Sequence, residues 1–352
     1  MDETIIYINA VAGISPQKTF SKDIPQSIVK PSGNRFICIE PDYDELIDAK
    51  LIRRMSRIIK MGTAAALKCL QQANVDTPGG IVVGTAYGCL QDTEIFLKRI
   101  IDYSEEMLTP TAFIQSTHNT VGAQIALLLQ CHNYNNTFVQ SGLSFESALL
   151  DGLLLLQENE MHNVLVGAAD EITNTSHAIL ERFGLYKRTE EEDFYSYKNK
   201  GTVAGEGAFF FLLSNEQSEK NIAGIKGIET FLDASVEEVE NKINGFLAAH
   251  HLSINDIDLI ITGRNGNKRN DAVYEMAGAN IFAGKQILNY KHLCGEYPTS
   301  TAFALWLALE LIKSKTAAQE LCNQTVGSDV KKILIYNHYL NTCHSLLLID
   351  AC

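Results

Sequence analysis

Short, continuously apolar runs alternate along the chain with longer segments in which apolar residues recur every three to four positions. Residues 81–84 read Ile-Val-Val-Gly and residues 164–167 read Val-Leu-Val-Gly. Runs this short, apolar at every position and closed by glycine, predict strands buried on both faces. Residues 137–139, Thr-Phe-Val, predict another strand. Between them the 3.6-residue period predicts helices over 92–103, 120–131 and 144–157. The second half repeats the rhythm, with a strand at 257–262 closed by Gly263, a helix at 271–279 and a long apolar helix at 300–313. Strands at 332–336 and 345–349 close the chain. Alternation of this kind predicts an α/β protein whose sheets are covered by helices on both sides. The polar run Asn-Glu-Gln-Ser-Glu-Lys at 215–220 marks a seam. Two similar halves are therefore expected, 1–215 and 216–352, packed tightly because no long linker separates them.

Composition narrows the partners more than the fold. The chain has 352 residues, 46% hydrophobic and 20% charged, with a net charge of −13. That sign repels phosphate backbones and anionic lipid, so neither nucleic acid nor membrane is expected as a partner. No run reaches the 18 apolar residues of a membrane span; the stretch 149–156 is interrupted by Asp151 and Gly152. The opening Met-Asp-Glu-Thr lacks a basic segment leading into an apolar one, so a cytoplasmic location is expected. The eight cysteines form no CxxC pair and no zinc-ligand spacing. Buried, reduced thiols are expected, with no metal and no cofactor.

Four segments in order resemble the elongating β-ketoacyl-acyl-carrier-protein synthases of the thiolase superfamily. They are 110–126, with Phe113, Ser116, Asn119 and the pair Gly122-Ala123; 138–171, closing on Gly-Ala-Ala-Asp-Glu; 201–208, Gly-Thr-Val-Ala-Gly-Glu-Gly-Ala; and 291–295, Lys-His-Leu-Cys-Gly. The resemblance implies a thiolase-like five-layer αβαβα sandwich made of two similar halves, and a dimer formed through the strand that precedes the nucleophile. It also implies an active site of one cysteine and two histidines. In that chemistry the cysteine sits at a helix N-terminus, where the dipole favours the thiolate, and accepts the acyl chain. The histidines then assist decarboxylation of the malonyl unit and stabilise the enolate.

None of the three is found. The nucleophile turn reads Phe-Val-Gln-Ser-Gly-Leu-Ser-Phe over 138–145, which puts the cysteine position at Gly142 or Leu143, depending on whether the alignment is counted from Ala148 or from Glu171. The first histidine turn has become Gly263-Arg264-Asn265. The second histidine, following the retained Lys291, has become Glu296. Gly142, Leu143, Arg264, Lys291 and Glu296 are thus vestigial positions, and no catalytic residue is expected. A buried Glu296 would pair with Lys291, and Arg264 is a second candidate partner. Ser144 is expected to cap the helix that follows it. His338 and His344 lie in the degenerate closing loop and receive no role.

The segment 50–60 is the densest basic stretch. Lys50, Arg53, Arg54 and Arg57 fall at i, i+3, i+4 and i+7, which predicts one helix face, with Leu51, Met55, Ile58 and Ile59 opposite. The resemblance implies that Lys50 and Arg53 match family residues that dock the acidic acyl carrier protein, so the four are candidates for carrier-protein or partner docking. His118, Phe145 and Leu149 are candidates for an acyl pocket or interface. The leading expectation is a non-condensing, chain-length-factor-type subunit. It would pair with an active β-ketoacyl synthase in polyketide, aryl-polyene or fatty-acid-type biosynthesis. The alternatives are an active synthase or acyltransferase with a rebuilt site, and a homodimeric acyl-binding scaffold.

Overall fold

The computed structural model describes residues 5–20, 28–106, 108–189, 193–313 and 330–352. In chain order the first half contains β1 (Ile6–Ile14), α1 (Ala49–Ile52), α2 (Arg57–Ala73), β2 (Gly80–Gly84), α3 (Leu90–Asp102), α4 (Pro110–Gln115) and α5 (Thr120–Leu129). It continues with β3 (Tyr134–Phe138), α6 (Ser144–Gln157), β4 (Asn163–Asp170), α7 (Asn174–Arg182) and β5 (Gly207–Ser214). The second half contains β6 (Ala223–Leu232), α8 (Val236–Ala249), β7 (Leu259–Thr262), α9 (Lys268–Ala279) and β8 (Ile287–Asn289). It ends with α10 (Lys291–Cys294), α11 (Thr301–Lys313), β9 (Lys332–Tyr339) and β10 (Cys343–Ala351).

The strand order is β3-β2-β4-β5-β1-β6-β10-β9-β7-β8. Its two halves are the same arrangement met from opposite ends. In the first, β2 pairs in parallel with β3 and β4, and β5 is antiparallel to β4 and β1. In the second, β7 pairs in parallel with β8 and β9, and β10 is antiparallel to β9 and β6. A short antiparallel join, Ile6–Ile8 against Ala223–Ile225, links the halves.

Why the strands read as unbroken apolar runs is clear from where alternate residues go. In β2, Ile81 and Val83 pack outward under α2 and α5, while Val82 packs inward. In β7 and β9, Ile260 and Leu334 pack outward under α8 and α9, while Ile261 and Ile335 face inward. The inward residues of both halves share one core with α6 and α11. The layers therefore run helix, sheet, helix pair, sheet, helix: the expected five-layer αβαβα sandwich of two similar halves. α11 is buried from Thr301 to Leu309 because it lies in the middle layer. Among the described residues no helix is long and apolar enough to cross a membrane.

Candidate functional site

Gly142 and Leu143 lie in the turn between β3 and α6. Ser141 adopts a left-handed backbone, φ 53°, at the sharp change from strand to helix. Ser144 does not cap α6, whose first residue it is. Its hydroxyl accepts from the Gln140 N–H and donates to the Ser141 carbonyl, both at 2.8 Å, and so ties the turn. Gly142 is buried, and a Cβ built on it would lie 2.3 Å from the Tyr339 Cβ. Position 142 therefore has no room for a side chain unless Tyr339 moves. Leu143 is half-buried before the first turn of α6. The Tyr339 hydroxyl lies 3.3 Å from that of Tyr87, closing the turn from the side of the second half.

Phe145 and Leu149 do not reach the surface. Both are fully buried, with the Phe145 ring 5.7 Å from Phe211, because α6 is sandwiched between sheets and its apolar face turns to the shared core. The outward face of α6 instead carries Leu150 and Leu154, 43% and 47% exposed. His118 is exposed on the turn after α4, packed over Gly88.

Two of the other three positions, Lys291 and Glu296, form a buried ion pair. Lys291 Nζ lies 2.8 and 2.7 Å from the two Glu296 oxygens and also donates to the His338 carbonyl at 3.3 Å. Asn265 Nδ2 donates to the same carboxylate. Burial pushes the Glu296 carboxyl up, against the opposing pull of Lys291 and Asn265. The loop 203–205 holds Glu296 by its backbone: its N–H donates to the Val203 carbonyl at 2.8 Å, and its carbonyl accepts from Gly205 N–H at 2.9 Å. Gly205 is required there, since a Cβ would sit 2.0 Å from the Cys294 carbonyl oxygen.

Arg264 does not reach this pair. Its guanidinium lies over the rings of Tyr195 and Tyr197, at 5.4 and 5.9 Å, and donates to Tyr197 Oη at 2.7 Å and Glu275 at 3.0 Å. Asp271 lies 3.4 Å from its Nε. These acceptors lie on the flank of α9, so the side chain turns away from the centre and its neighbour Asn265 turns in. His338 is fully buried and stacks on Tyr274, 4.6 Å between ring centres. Its Nδ1 accepts from the Asn341 N–H, which leaves Nε2 as the donor to the Asn270 carbonyl. Burial and then Lys291 hold it well below the ordinary histidine range. This imidazole is neutral, and both nitrogens are occupied by backbone. Among the described residues, Lys291 and Glu296 thus satisfy each other, and both His338 nitrogens are held by backbone groups.

A small cavity of about 150 Å³ lies beside the turn, lined by Tyr87, Glu171, Ile179, Leu180, Tyr186 and Tyr297 among others. Burial pushes the Glu171 carboxyl up to about 7. Sequence reasoning missed the tyrosines at 87, 186 and 339. Of these, Tyr87 carries a local signal, as a bulky residue three positions after the strand ending at Gly84.

The basic stretch is not one helix. α1 ends at Ile52, Ser56 is extended at φ −69° and ψ 172°, and α2 begins at Arg57. Lys50, Arg53 and Arg54 are exposed. Arg57 is not part of that face: the break at Ser56 turns it inward. Its terminal nitrogens lie 2.7 and 2.6 Å from the buried Glu206, and its Nε lies 2.5 Å from Glu40. Glu206 also accepts from the N–H groups of Cys38 and Ile172. Arg57 therefore ties α2 to the start of β5 and is unavailable for docking.

The outer edge of the first half is open. β3 pairs only with β2 and ends the sheet, and Tyr134 on it bonds Asp151 of α6 at 3.0 Å. Beyond it, α3 buries only Asp92 and leaves Ile95, Leu97 and Ile101 exposed; α4 exposes Phe113 and Ile114.

Residues 40–183 match the family described as β-ketoacyl synthase, N-terminal domain. No curated protein sequence matches the chain. Among solved structures, the ishigamide ketosynthase/chain length factor superposes with a TM-score of 0.80 at 16% identity, covering 99% of both chains. A ketosynthase in complex with its chain length factor, from Xenorhabdus doucetiae, superposes with a TM-score of 0.78 at 17% identity, covering 99% of this chain and 98% of the other. A type II PKS acyl-carrier protein in complex with its ketosynthase bound to the hexaketide gives a TM-score of 0.78 at 16% identity, with 99% of both chains covered. At these identities the likeness establishes the fold. Residues 40–183 thus match the β-ketoacyl synthase N-terminal domain model, and the chain as a whole has the thiolase-like ketosynthase fold.

Proposed function

We propose that this chain is a non-condensing subunit that pairs with a cysteine-bearing ketosynthase and assists chain assembly without forming the carbon–carbon bond itself. The observation that carries this is the filled centre. Tyr339 packs over Gly142, and Lys291, Glu296 and Asn265 hold one another in a buried cluster, at a place where the family resemblance implies imidazoles. Each group satisfies another, so the site stabilises a frame and leaves no reactive pair.

The partner is expected at the open edge of β3 and on the adjoining face of α6. Unpaired strand edges bind other strands, and β3 carries no lysine, arginine or proline to discourage pairing. Leu150 and Leu154 supply apolar area beside it. Lys50, Arg53 and Arg54 are the expected contacts for an acidic carrier protein, and the assembly is expected in the cytoplasm. The structural neighbours support the reading, since two of them are ketosynthase and chain length factor assemblies and another holds an acyl-carrier protein.

The test is co-expression with a cysteine-bearing ketosynthase and a carrier protein, followed by purification through a tag on this chain. Stable co-purification, with condensation only when the ketosynthase is present, is the expected result. Condensation of acyl and malonyl carrier proteins by this chain alone, at the rate of an ordinary synthase, overturns the reading.

A further inference from the structure

β6 has one open side over most of its length. β1 pairs with it only over residues 223–225, and from Lys226 to Leu232 its one strand partner among the described residues is β10. The Asp233 N–H donates to the Thr342 carbonyl at 2.9 Å, in register with the pair of Leu232 and Cys343. Bonding alternates along an antiparallel pair, so Phe231 and Glu229 bond β10. The N–H and C=O groups of Ile228, Thr230 and Leu232 therefore point away from it, toward the open side. Residues 227–232, Gly-Ile-Glu-Thr-Phe-Leu, hold no lysine, arginine or proline to blunt the edge.

A groove of about 480 Å³ lies between the same stretch of β6 and α8. Phe231 and Phe246 give it a buried apolar floor, and Leu232, which also lines it, is 61% exposed. Its wall is one face of α8, because Glu238, Asn241, Lys242 and Gly245 fall at i, i+3, i+4 and i+7. A Cβ built on Gly245 would meet nothing within 4 Å, and its backbone is ordinary helix. Glycine inside a helix is unfavourable, and neither a turn nor close packing demands it here; its effect is to leave the groove open. The rim is acidic. Glu229, Asp233 and Glu238 line the groove against one ammonium, Lys242, which Glu229 already holds at 3.0 Å. Asp233 and Glu238 are exposed, and Glu238 is fixed at the start of α8 by the Ser235 N–H at 2.7 Å.

We propose that the open edge of β6 takes up an extended, basic segment of a partner protein as a further strand. An aliphatic side chain of that segment enters the groove, and its lysine or arginine side chains meet Asp233 and Glu238. Main-chain bonds to Ile228, Thr230 and Leu232 supply the hold, while the groove and its rim supply the choice of sequence. Charge complementarity decides among occupants. A second copy of this edge would bring two acidic rims together, and an acidic carrier protein would meet the same repulsion. The surface is therefore distinct from the basic one at Lys50, Arg53 and Arg54. It lies on the second half of the chain, whereas β3 belongs to the first, and it does not rest on pairing with a ketosynthase.

The probe is the peptide acetyl-Lys-Arg-Val-Thr-Val-Arg-Lys-amide with a fluorophore attached, titrated with the full-length chain and read by fluorescence polarisation. As a strand it sets both valines on one face, flanked by lysines. Saturable binding is expected. Hydrogen exchange should show the amides of Ile228, Thr230 and Leu232 exchanging freely in the chain alone and protected in the complex. N-methylation of the three central peptide residues keeps charge and side chains but removes the donors, and should weaken binding at least about 10-fold. Gly245→Leu, which fills the groove, should weaken it by a similar factor. Asp233→Asn with Glu238→Gln should weaken it roughly 10-fold and reduce its salt dependence. No binding, equal binding of the N-methylated peptide, or edge amides already protected in the chain alone overturns the proposal. Protection that rises with protein concentration would give the edge to a second copy, and overturns it as well. Exchange is read on the unaltered chain, so a variant that fails to fold leaves the test decisive.

Discussion

The centre of the molecule and its outer edge are opposites of what position alone would suggest. The centre, buried between two sheets, is polar: Lys291, Glu296, Asn265 and Glu146 sit in a layer otherwise made of leucine, alanine and phenylalanine. The edge, open to solvent, is apolar at Leu150, Leu154, Phe113 and Ile101. Most polar groups of the centre find partners inside the chain, whereas the apolar groups of the edge do not. A buried charge stays where its partner satisfies it, and an exposed apolar patch signals contact with another surface. The contrast places internal stabilisation at the buried Lys291–Glu296 centre and the search for partner contacts at the edge.

The strongest way to break that contrast is to unbalance the centre. Glu296→Gln leaves Lys291 buried with no carboxylate, and loss of one partner of a buried pair costs about 3–5 kcal/mol. Lys291→Met should cost a similar amount. The double replacement Lys291→Met with Glu296→Leu removes both charges and should recover most of the loss. Chemical denaturation of the three variants checks this. If both single variants match the parent in stability, the pair does not hold the centre together.

Glu171 offers a second test of the same interior. Its folded carboxyl stands at about 7 against an ordinary 4.5, raised chiefly by burial. The folded chain therefore binds this proton more tightly than the unfolded chain. Stability falls as pH rises from about 4.5 to about 7, by about 3 kcal/mol in total from this group. Glu171→Gln should flatten that part of the stability–pH curve. A slope that persists unchanged in the variant would assign it to other groups.

At the edge, Leu150→Asp combined with Leu154→Asp should leave the fold within about 0.5 kcal/mol of the parent, because both side chains are already largely in water. Pairing with a ketosynthase should weaken by at least about 2 kcal/mol, roughly 30-fold, where the two leucines anchor the interface. Analytical ultracentrifugation of the mixed subunits reads the change. Undiminished pairing would move the interface elsewhere.

How much of this was legible from sequence depends on whether the signal is local. The strands at 81–84 and 164–167 announced themselves because burial on both faces writes itself into every residue. The helix from 144 to 157 was equally plain, but its apolar residues continue around the cylinder. Phe145 and Leu149 could not be told from Leu150 and Leu154 by period alone, and only packing separates the core face from the outer one. Lys291 with Glu296 was readable because they lie only five positions apart. Asn265 was hidden behind its more conspicuous neighbour Arg264, whose acceptors on α9 become visible only in three dimensions. Tyr339 over Gly142 joins positions nearly two hundred residues apart, and neither carries a trace of the other.

The basic stretch gives the smallest effect and the finest test of the contrast, because one pattern conceals both kinds of residue. The spacing of Lys50, Arg53, Arg54 and Arg57 assumes an unbroken helix, and Ser56 interrupts it. Arg57 belongs with the interior, since its guanidinium meets the wholly buried Glu206. Arg53 and Arg54 belong with the surface. Arg53→Glu with Arg54→Glu should therefore change stability by less than about 0.5 kcal/mol. Carrier-protein affinity should fall by up to about 1 kcal/mol per charge and lose its salt dependence. Arg57→Gln should do the reverse, lowering stability while leaving the salt dependence of carrier-protein affinity in place. Equal effects from the two replacements would mean that the basic stretch acts as one face after all. The break at Ser56 would then carry no functional weight.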